Sequence, residues 1–175
     1  LAAVMVLKEL AQNAPVVFYV VMPQFMETIW VGLTDESDDV RNVSAVALEC
    51  CMTICEQRQS SAKEQWYQSL FDRAEREVRS NVAELVHGAL RVYEMLLRHS
   101  REFTYRRLSA VAKNVLMHKD NKEQAVRILV FRLIPLIARF DPKTFASMYL
   151  NSTMTYLLGV IKNNASGALI PQPSS

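Results

Sequence analysis

The sequence predicts an all-α protein, a HEAT/armadillo-type α-solenoid in which antiparallel helix pairs stack into a superhelix. Three observations support this fold class. Apolar residues recur every three or four positions over long stretches, as they do along one face of a helix. Alternation with a period of two is not sustained anywhere in the chain. Four glycines and six prolines in 175 residues are few for a β-protein with many tight turns.

The first half of the chain predicts four helices. The first, 16–33, contains Pro23 in an otherwise apolar run, and the second, 38–58, begins in a cluster of acids. The polar linker QRQSSAKE separates them from a third helix at 65–79 and a fourth at 82–99. The apolar stripes of the second and fourth helices comprise Val40, Val43, Ala47, Cys51 and Ile54, and Leu85, Ala89, Val92 and Leu96.

The second half predicts a further helix pair and one more helix. The pair is 103–117 and 122–140, joined by HKDN, and the later helix carries the stripe Val126, Leu129, Leu133 and Ile137. The last helix follows Asp141, with Pro142 in its first turn, where the missing N–H of proline costs nothing. It runs to about Lys162.

The apolar stripes repeat along the chain. When Ala2, Val43, Gly88 and Leu129 are placed in one slot, the spacings are 41, 45 and 41 residues. A period of this length filled by helix pairs is typical of HEAT and armadillo repeats. We expect residues 1–162 to form about three and a half helix pairs of a longer solenoid. Residues 163–175 are expected to be a truncated next repeat or a disordered tail.

Two features of the composition bear on the environment of the chain. Cys50, Cys51 and Cys55 form one local cluster without partner cysteines elsewhere, which favours a reducing compartment. The longest apolar run is interrupted by Pro23, Gln24 and Glu27, so that we expect no membrane-spanning segment. Residues 1–90 carry 7 basic and 13 acidic side chains, whereas residues 91–139 carry 11 and 4.

The acidic stretch TDESDDVRN, residues 34–42, admits two interpretations. Four carboxylates in five positions could bind a cation, but no turn glycine follows, and position twelve from Asp35 is Val46 rather than an acid. Helix capping is therefore favoured, with Asp39 at the helix start. Arg41 is expected to reach the turn of a neighbouring repeat, and Arg127 repeats the Val-Arg pair, so that these residues are predicted to stack the repeats.

Longer strings in the sequence resemble a known family. VMPQFMETIWVGLTDESDDVRNVSAVAL, CEQRQSSAKEQWYQSLFDRAERE, HGALRVYEMLLRHS and LIPLIARFDPKTFASMYLNSTM are similar to the N-terminal HEAT region of the target of rapamycin (TOR) protein kinases. The resemblance spans residues 3–162. It implies a scaffold segment of a cytosolic serine/threonine kinase, located at lysosomal or vacuolar membranes only through partners. It also implies dimerisation of the parent kinase and docking of raptor- or rictor-type subunits.

The sequence itself offers little catalytic chemistry. It lacks the glycine-rich loop, the H-R-D motif and the D-F-G motif of kinases, so that we expect no catalysis, cofactor or metal in this segment. His87 is expected to pack and donate a hydrogen bond. The candidate partner surface comprises two aromatic residues and a basic set: Trp66, Tyr67, Arg98, Arg101, Arg106, Arg107 and Lys113. Packing of Trp66 and Tyr67 against the preceding linker is an equal alternative.

Two functions remain open at this stage. The first is the scaffold segment that the resemblance implies. The second is a HEAT-type adaptor or transport receptor that binds peptide or nucleic acid through the basic face of residues 98–122. Nucleic acid is not expected as the partner, because a charged outer face is the ordinary outcome for a solenoid.

Overall fold

The computed structural model describes residues 1–58 and 62–167, with side chains through Lys162. The regular structure in these residues is helical, without a strand, which confirms the all-α prediction. In chain order the helices are α1 (Ala2–Asn13), α2 (Pro15–Leu33), α3 (Asp38–Gln57), α4 (Ala62–Glu77), α5 (Ala83–His99), α6 (Arg101–Tyr105), α7 (Leu108–Leu116), α8 (Gln124–Phe140), α9 (Pro142–Met148) and α10 (Leu150–Gly167).

The chain divides into two compact units, residues 1–136 and 137–175. In the first unit, α2 pairs with α3 and α4 pairs with α5, while α3 also packs between α1 and α5. The second helices of successive pairs thus lie side by side, as in a HEAT/armadillo-type α-solenoid. In the second unit, α9 packs against α10.

The turns that precede α3, α5 and α8 share one local structure. Asp35, Ser80 and Asn121 each accept, through a side-chain oxygen, the backbone N–H two residues further on, at 2.8, 3.1 and 2.9 Å. Such side-chain turns replace backbone hydrogen bonds that the chain loses where it reverses direction. The three positions are 45 and 41 residues apart, so that the turns confirm the register deduced from the apolar stripes.

The predicted helix 103–117 is wrong as a single helix, because the chain breaks between α6 and α7. In a continuous helix the Arg107 N–H would donate to the Phe103 carbonyl. Instead the Arg107 N–H donates to the Thr104 carbonyl at 2.9 Å. The Arg107 guanidinium donates to the Phe103 carbonyl, also at 2.9 Å. The guanidinium also lies 3.8 Å from the centre of the Phe103 ring. The Arg107 side chain therefore holds the break in place.

The predicted last helix is likewise interrupted, at Tyr149 between α9 and α10. Its start was correctly predicted: Asp141 is the N-cap residue and accepts from the Thr144 N–H at 3.1 Å, with Pro142 in the first turn. Helix α10 continues to Gly167, past residue 163, where a truncated next repeat or a disordered tail was expected to begin. The remainder of the predicted tail, residues 168–175, lies outside the described residues.

Helix α2 is long and apolar enough to cross a membrane by length and composition alone, even though Pro23, Gln24 and Glu27 interrupt its apolar run. A buried core helix passes the same test. One side of α2 is buried, including Phe18, Met22 and Leu33. The opposite side exposes Val20 and Val31 to solvent.

Candidate protein-interaction surfaces

The most concentrated charge inside the first unit lies around Glu94, in the middle of α5. The Glu94 side chain is only 1% exposed, and three arginines contact its carboxylate. Oε1 accepts from Arg98 at 3.0 Å and from Arg132, on α8, at 2.8 Å. Oε2 accepts from Arg91 at 3.3 Å. A buried carboxylate is tolerated when charged donors satisfy it, and here the donors come from two helices.

The same cluster also reaches α3. Arg91 donates through Nη2 to Asn42 Oδ1 at 2.8 Å, so that one chain of polar contacts joins α3, α5 and α8. A second contact, between His99 and Glu56 at 3.2 Å, joins α5 to α3. These contacts connect the second helices of three successive repeats.

A small cavity of about 230 Å³ opens beside this cluster. It is formed by side chains of α3, α5 and α8: Asn42, Ala45, Val46, Glu49, Arg91, Glu94, Met95, Arg98 and Arg132. The side chains of Arg98 and Arg132 are 40% and 47% exposed, and both line this cavity while bonded to Glu94. The cavity is therefore bordered by charged groups that are already oriented.

The predicted stacking residues form a different structure from the one expected. Arg41 donates to the carbonyls of Asp35 and Glu36 and pairs with Asp38, all in the turn that precedes its own helix. Arg127 does the same in its repeat, donating to the carbonyls five and six residues earlier at 2.7 and 2.6 Å. The two arginines thus close equivalent turns within their repeats. A role between repeats stays a prediction.

Asp39 does not occupy the capping position that the sequence suggested. The N-cap residue of α3 is Ser37. Asp39 lies exposed in the first turn, where its negative charge interacts favourably with the positive end of the helix dipole. Asp35 makes the turn, and Asp38 pairs with Arg41. Among the described residues, no group of three or more His, Cys, Asp or Glu side chains could hold a metal ion.

His87 packs, as predicted, but the expected hydrogen bond is not made by its Nδ1, which is buried without a partner. Burial, together with the nearby charges of Arg91 and Arg41, lowers the pKa of His87 to about 4. The ring is therefore neutral at physiological pH. It is buried close to the charged side chains of Arg41 and Asp38 at the start of α3.

Tyr67, a member of the candidate partner surface, is buried. Its side chain is 3% exposed and packs edge-on against Phe103, with ring centres 5.8 Å apart. Trp66 is half-buried and lies 6.1 Å from the ring of Tyr19. The aromatic pair therefore joins α4 to α6 and to α2, and Trp66 alone retains part of its surface for a partner.

The predicted basic set does not form one uninterrupted face. Arg98 borders the cavity beside Glu94, whereas Arg106 and Arg107 line another of about 390 Å³ together with Glu64 and Glu102. Arg107 is held by Gln68 as well as by the break after α6. The exposed members of the set are Arg98, Arg101, Arg106 and Lys113.

The buried titratable groups occupy packing positions. The predicted burial of Cys51 and Cys55 is confirmed, and their mutual hydrogen bond and burial raise the pKa of Cys51 far above its ordinary value. Burial also raises the pKa of Tyr93 to about 12, although its hydroxyl accepts from Asn114 at 2.9 Å. None of these three groups lines either of the two cavities described above.

Sequence reasoning missed Glu94. A detectable signal was present: a single acid interrupts the apolar stripe of VHGALRVYEMLL, with Arg91 three residues before it and Arg98 four residues after it. These spacings place both arginines beside the acid on a helix. The contact to Arg132, 38 residues away, could not be read from that pattern.

Together the geometry defines a helical-repeat protein whose polar clusters join repeats and border open surfaces. The comparison with known proteins is more specific. The chain is 35% identical over 162 residues to serine/threonine-protein kinase TOR of Arabidopsis thaliana, covering 92% of this chain and 6% of that protein. It is 35% identical to the TOR kinase of Oryza sativa and 32% identical to TOR2 of Saccharomyces cerevisiae, each again over 162 residues.

The chain therefore belongs to the TOR kinase family, as the resemblance of its motifs predicted. The matched residues make up 92 to 93% of this chain, but the chain spans only 6 to 7% of the length of these relatives. No protein-family model matches the chain. No solved structure matches it either.

Proposed function

We propose that this chain is a non-catalytic scaffold segment of a TOR-type serine/threonine kinase that controls growth in response to nutrients. The observation that supports this proposal most is the combination of 35% identity with a share of only 6% of the relative's length. A stack of helix pairs matched to so small a part of a large kinase offers extended surfaces and leaves catalysis to other parts of the protein.

The scaffold acts by presenting its surfaces to raptor- or rictor-type subunits within a dimeric kinase complex. Repeats that contact mainly their neighbours leave long faces open to partners, and the polar contacts around Glu94 keep three successive repeats in register. In this proposal the segment resides in the cytoplasm. It reaches lysosomal or vacuolar membranes through its partners.

A deletion in a full-length relative tests the proposal. The segment of Saccharomyces cerevisiae TOR2 that matches this chain is removed, and co-purification of the raptor- and rictor-type subunits is measured. The same preparations are assayed for phosphorylation of a generic peptide. We expect assembly to fall while peptide phosphorylation persists. Unchanged assembly with both subunits would contradict the scaffold function.

A further inference from the structure

The cavity beside Glu94 carries more positive than negative charge. Three arginines border it, and two carboxylates, Glu94 and Glu49, oppose them. Glu49 is 46% exposed and lies 3.9 Å from His99, whereas Glu94 is almost fully buried. One positive charge therefore remains without a carboxylate in the cavity wall. We call this cavity the Arg98–Arg132 pocket.

The guanidinium groups of the two partly exposed arginines in the pocket are held close together. One nitrogen of Arg98 and one of Arg132 lie within 3.0 Å of the same oxygen, Oε1 of Glu94. A guanidinium group has five N–H donors in a fixed fork, so that each arginine keeps donors for a second acceptor. Because the buried Glu94 already holds both guanidinium groups in position, binding of a ligand would not have to restrict the motion of these two side chains.

The third arginine has a different role. Arg91 is 13% exposed, and its terminal nitrogens are bonded to Glu94 and Asn42. It supports the pocket and adds charge without facing solvent. The ligand-facing groups are thus Arg98 and Arg132, which come from neighbouring repeats.

We propose that the Arg98–Arg132 pocket binds an Asp or Glu side chain of an acidic segment in a protein partner. Paired arginine forks match the two oxygens of a carboxylate. A single negative charge neutralises the surplus in the pocket, whereas a phosphate dianion would exceed it. This inference rests on the proposed scaffold function and specifies which surface meets the partner.

The test uses the 175-residue chain and a fluorescein-labelled hexaglutamate peptide, with binding followed by fluorescence anisotropy. The test variant is Arg98→Gln with Arg132→Gln. The control variant, Arg76→Gln with Arg79→Gln, removes the same charge from exposed positions elsewhere. We expect hexaglutamate to bind, a hexaglutamine peptide not to bind, and the test variant to lose affinity about tenfold or more relative to the control.

A second variant covers the case in which the glutamine pair does not fold, as judged by circular dichroism. Arg98→Lys with Arg132→Lys keeps both charges beside Glu94 but removes the forks. We expect it to weaken hexaglutamate binding by about threefold or more, because a lysine ammonium cannot bind a carboxylate in bidentate fashion. Equal binding by this variant and the wild type would overturn the proposal.

Three other outcomes would also overturn it. They are failure of hexaglutamate to bind, equal loss of affinity in the test and control pairs, and binding confined to a glutamine peptide with one phosphoserine. The last outcome would assign the pocket to a phosphate group. Each outcome is distinct from failure of the scaffold function, because the deletion experiment measures subunit assembly independently of this pocket.

Discussion

Gly88 on α5 lies directly against the backbone of Leu33 at the end of α2. A Cβ atom at Gly88 would lie 2.9 Å from the Leu33 carbonyl oxygen and 2.8 Å from Thr34 Cγ2. The contact joins two successive repeats. Because a backbone carbonyl cannot move away as the end of a flexible side chain can, glycine is required here for packing and not for its backbone angles.

Gly88→Ala is therefore expected to destabilise the fold. Overpacking costs about 1–3 kcal/mol, and the higher helix propensity of alanine offsets about 1 kcal/mol of it. The matched control is Gly159→Ala in α10, where a Cβ would meet nothing within 4 Å. Urea denaturation should give a lower midpoint for Gly88→Ala and an equal or higher one for Gly159→Ala. A Gly88→Ala midpoint at or above that of the wild type would refute the close approach.

Replacement of Arg41 by methionine should lower the free energy of unfolding by about 2 kcal/mol. The change removes the donors for the carbonyls of Asp35 and Glu36 in a partly buried turn. Arg127→Met should have a similar effect, because Arg127 makes equivalent bonds. Arg79→Met, which removes an exposed pair with Glu75, should change the unfolding free energy by less than about 0.5 kcal/mol. Equal effects of all three would show that the turns do not depend on these bonds.

Glu94→Gln should cost about 3 kcal/mol, because it leaves three guanidinium groups beside a neutral side chain in a buried site. Adding Arg132→Gln to that variant should restore part of the loss, since it removes one of the uncompensated charges. Thermal unfolding of the single and double variants forms a double-mutant cycle. Strict additivity would mean that Arg132 and Glu94 are not coupled.

Acidification should destabilise the fold through His87. Its pKa is about 4 in the folded chain and about 6.5 when unfolded, so that the unfolded state binds the proton first as the pH falls. The stability that the neutral ring contributes is complete above pH 6.5 and declines as the pH falls towards 4. At pH 5 we expect a loss of about 1–2 kcal/mol relative to pH 7.

The control for this pH effect is His87→Gln, which cannot titrate. Urea midpoints at pH 7 and pH 5 should differ less for the variant than for the wild type. The same difference in both proteins would show that other groups cause the acid sensitivity.

Features that depend on local pattern were predictable from the sequence. The apolar stripes gave the repeat spacing, because a helix must bury one face whatever it packs against. Asp141 followed by Pro142 predicted the start of α9, because the cap is formed by neighbouring residues. The turns at Asp35, Ser80 and Asn121 are local in the same sense, because each side chain accepts from a backbone N–H only two residues further on.

Features that depend on distant partners were not predictable. At the break after α6, the Arg107 side chain rather than its backbone amide donates to the Phe103 carbonyl. The same side chain is held by Gln68 on α4, a partner that is distant in the sequence. Tyr67 is buried because Phe103, 36 residues away, covers it. The position of a helix in the sequence does not reveal which of its faces another helix will cover.

The function proposed for this chain is to supply surface for assembly of a TOR-type complex. Its most direct test is binding of the immobilised 175-residue chain to purified raptor-type and rictor-type subunits, measured by biolayer interferometry. The Gly88→Ala variant, if destabilised as expected, serves as the control for the folded state. We expect the folded wild-type chain to bind at least one subunit saturably. The Gly88→Ala variant should bind more weakly once it is unfolded by heat. Absence of binding to both subunits by the folded chain would contradict it.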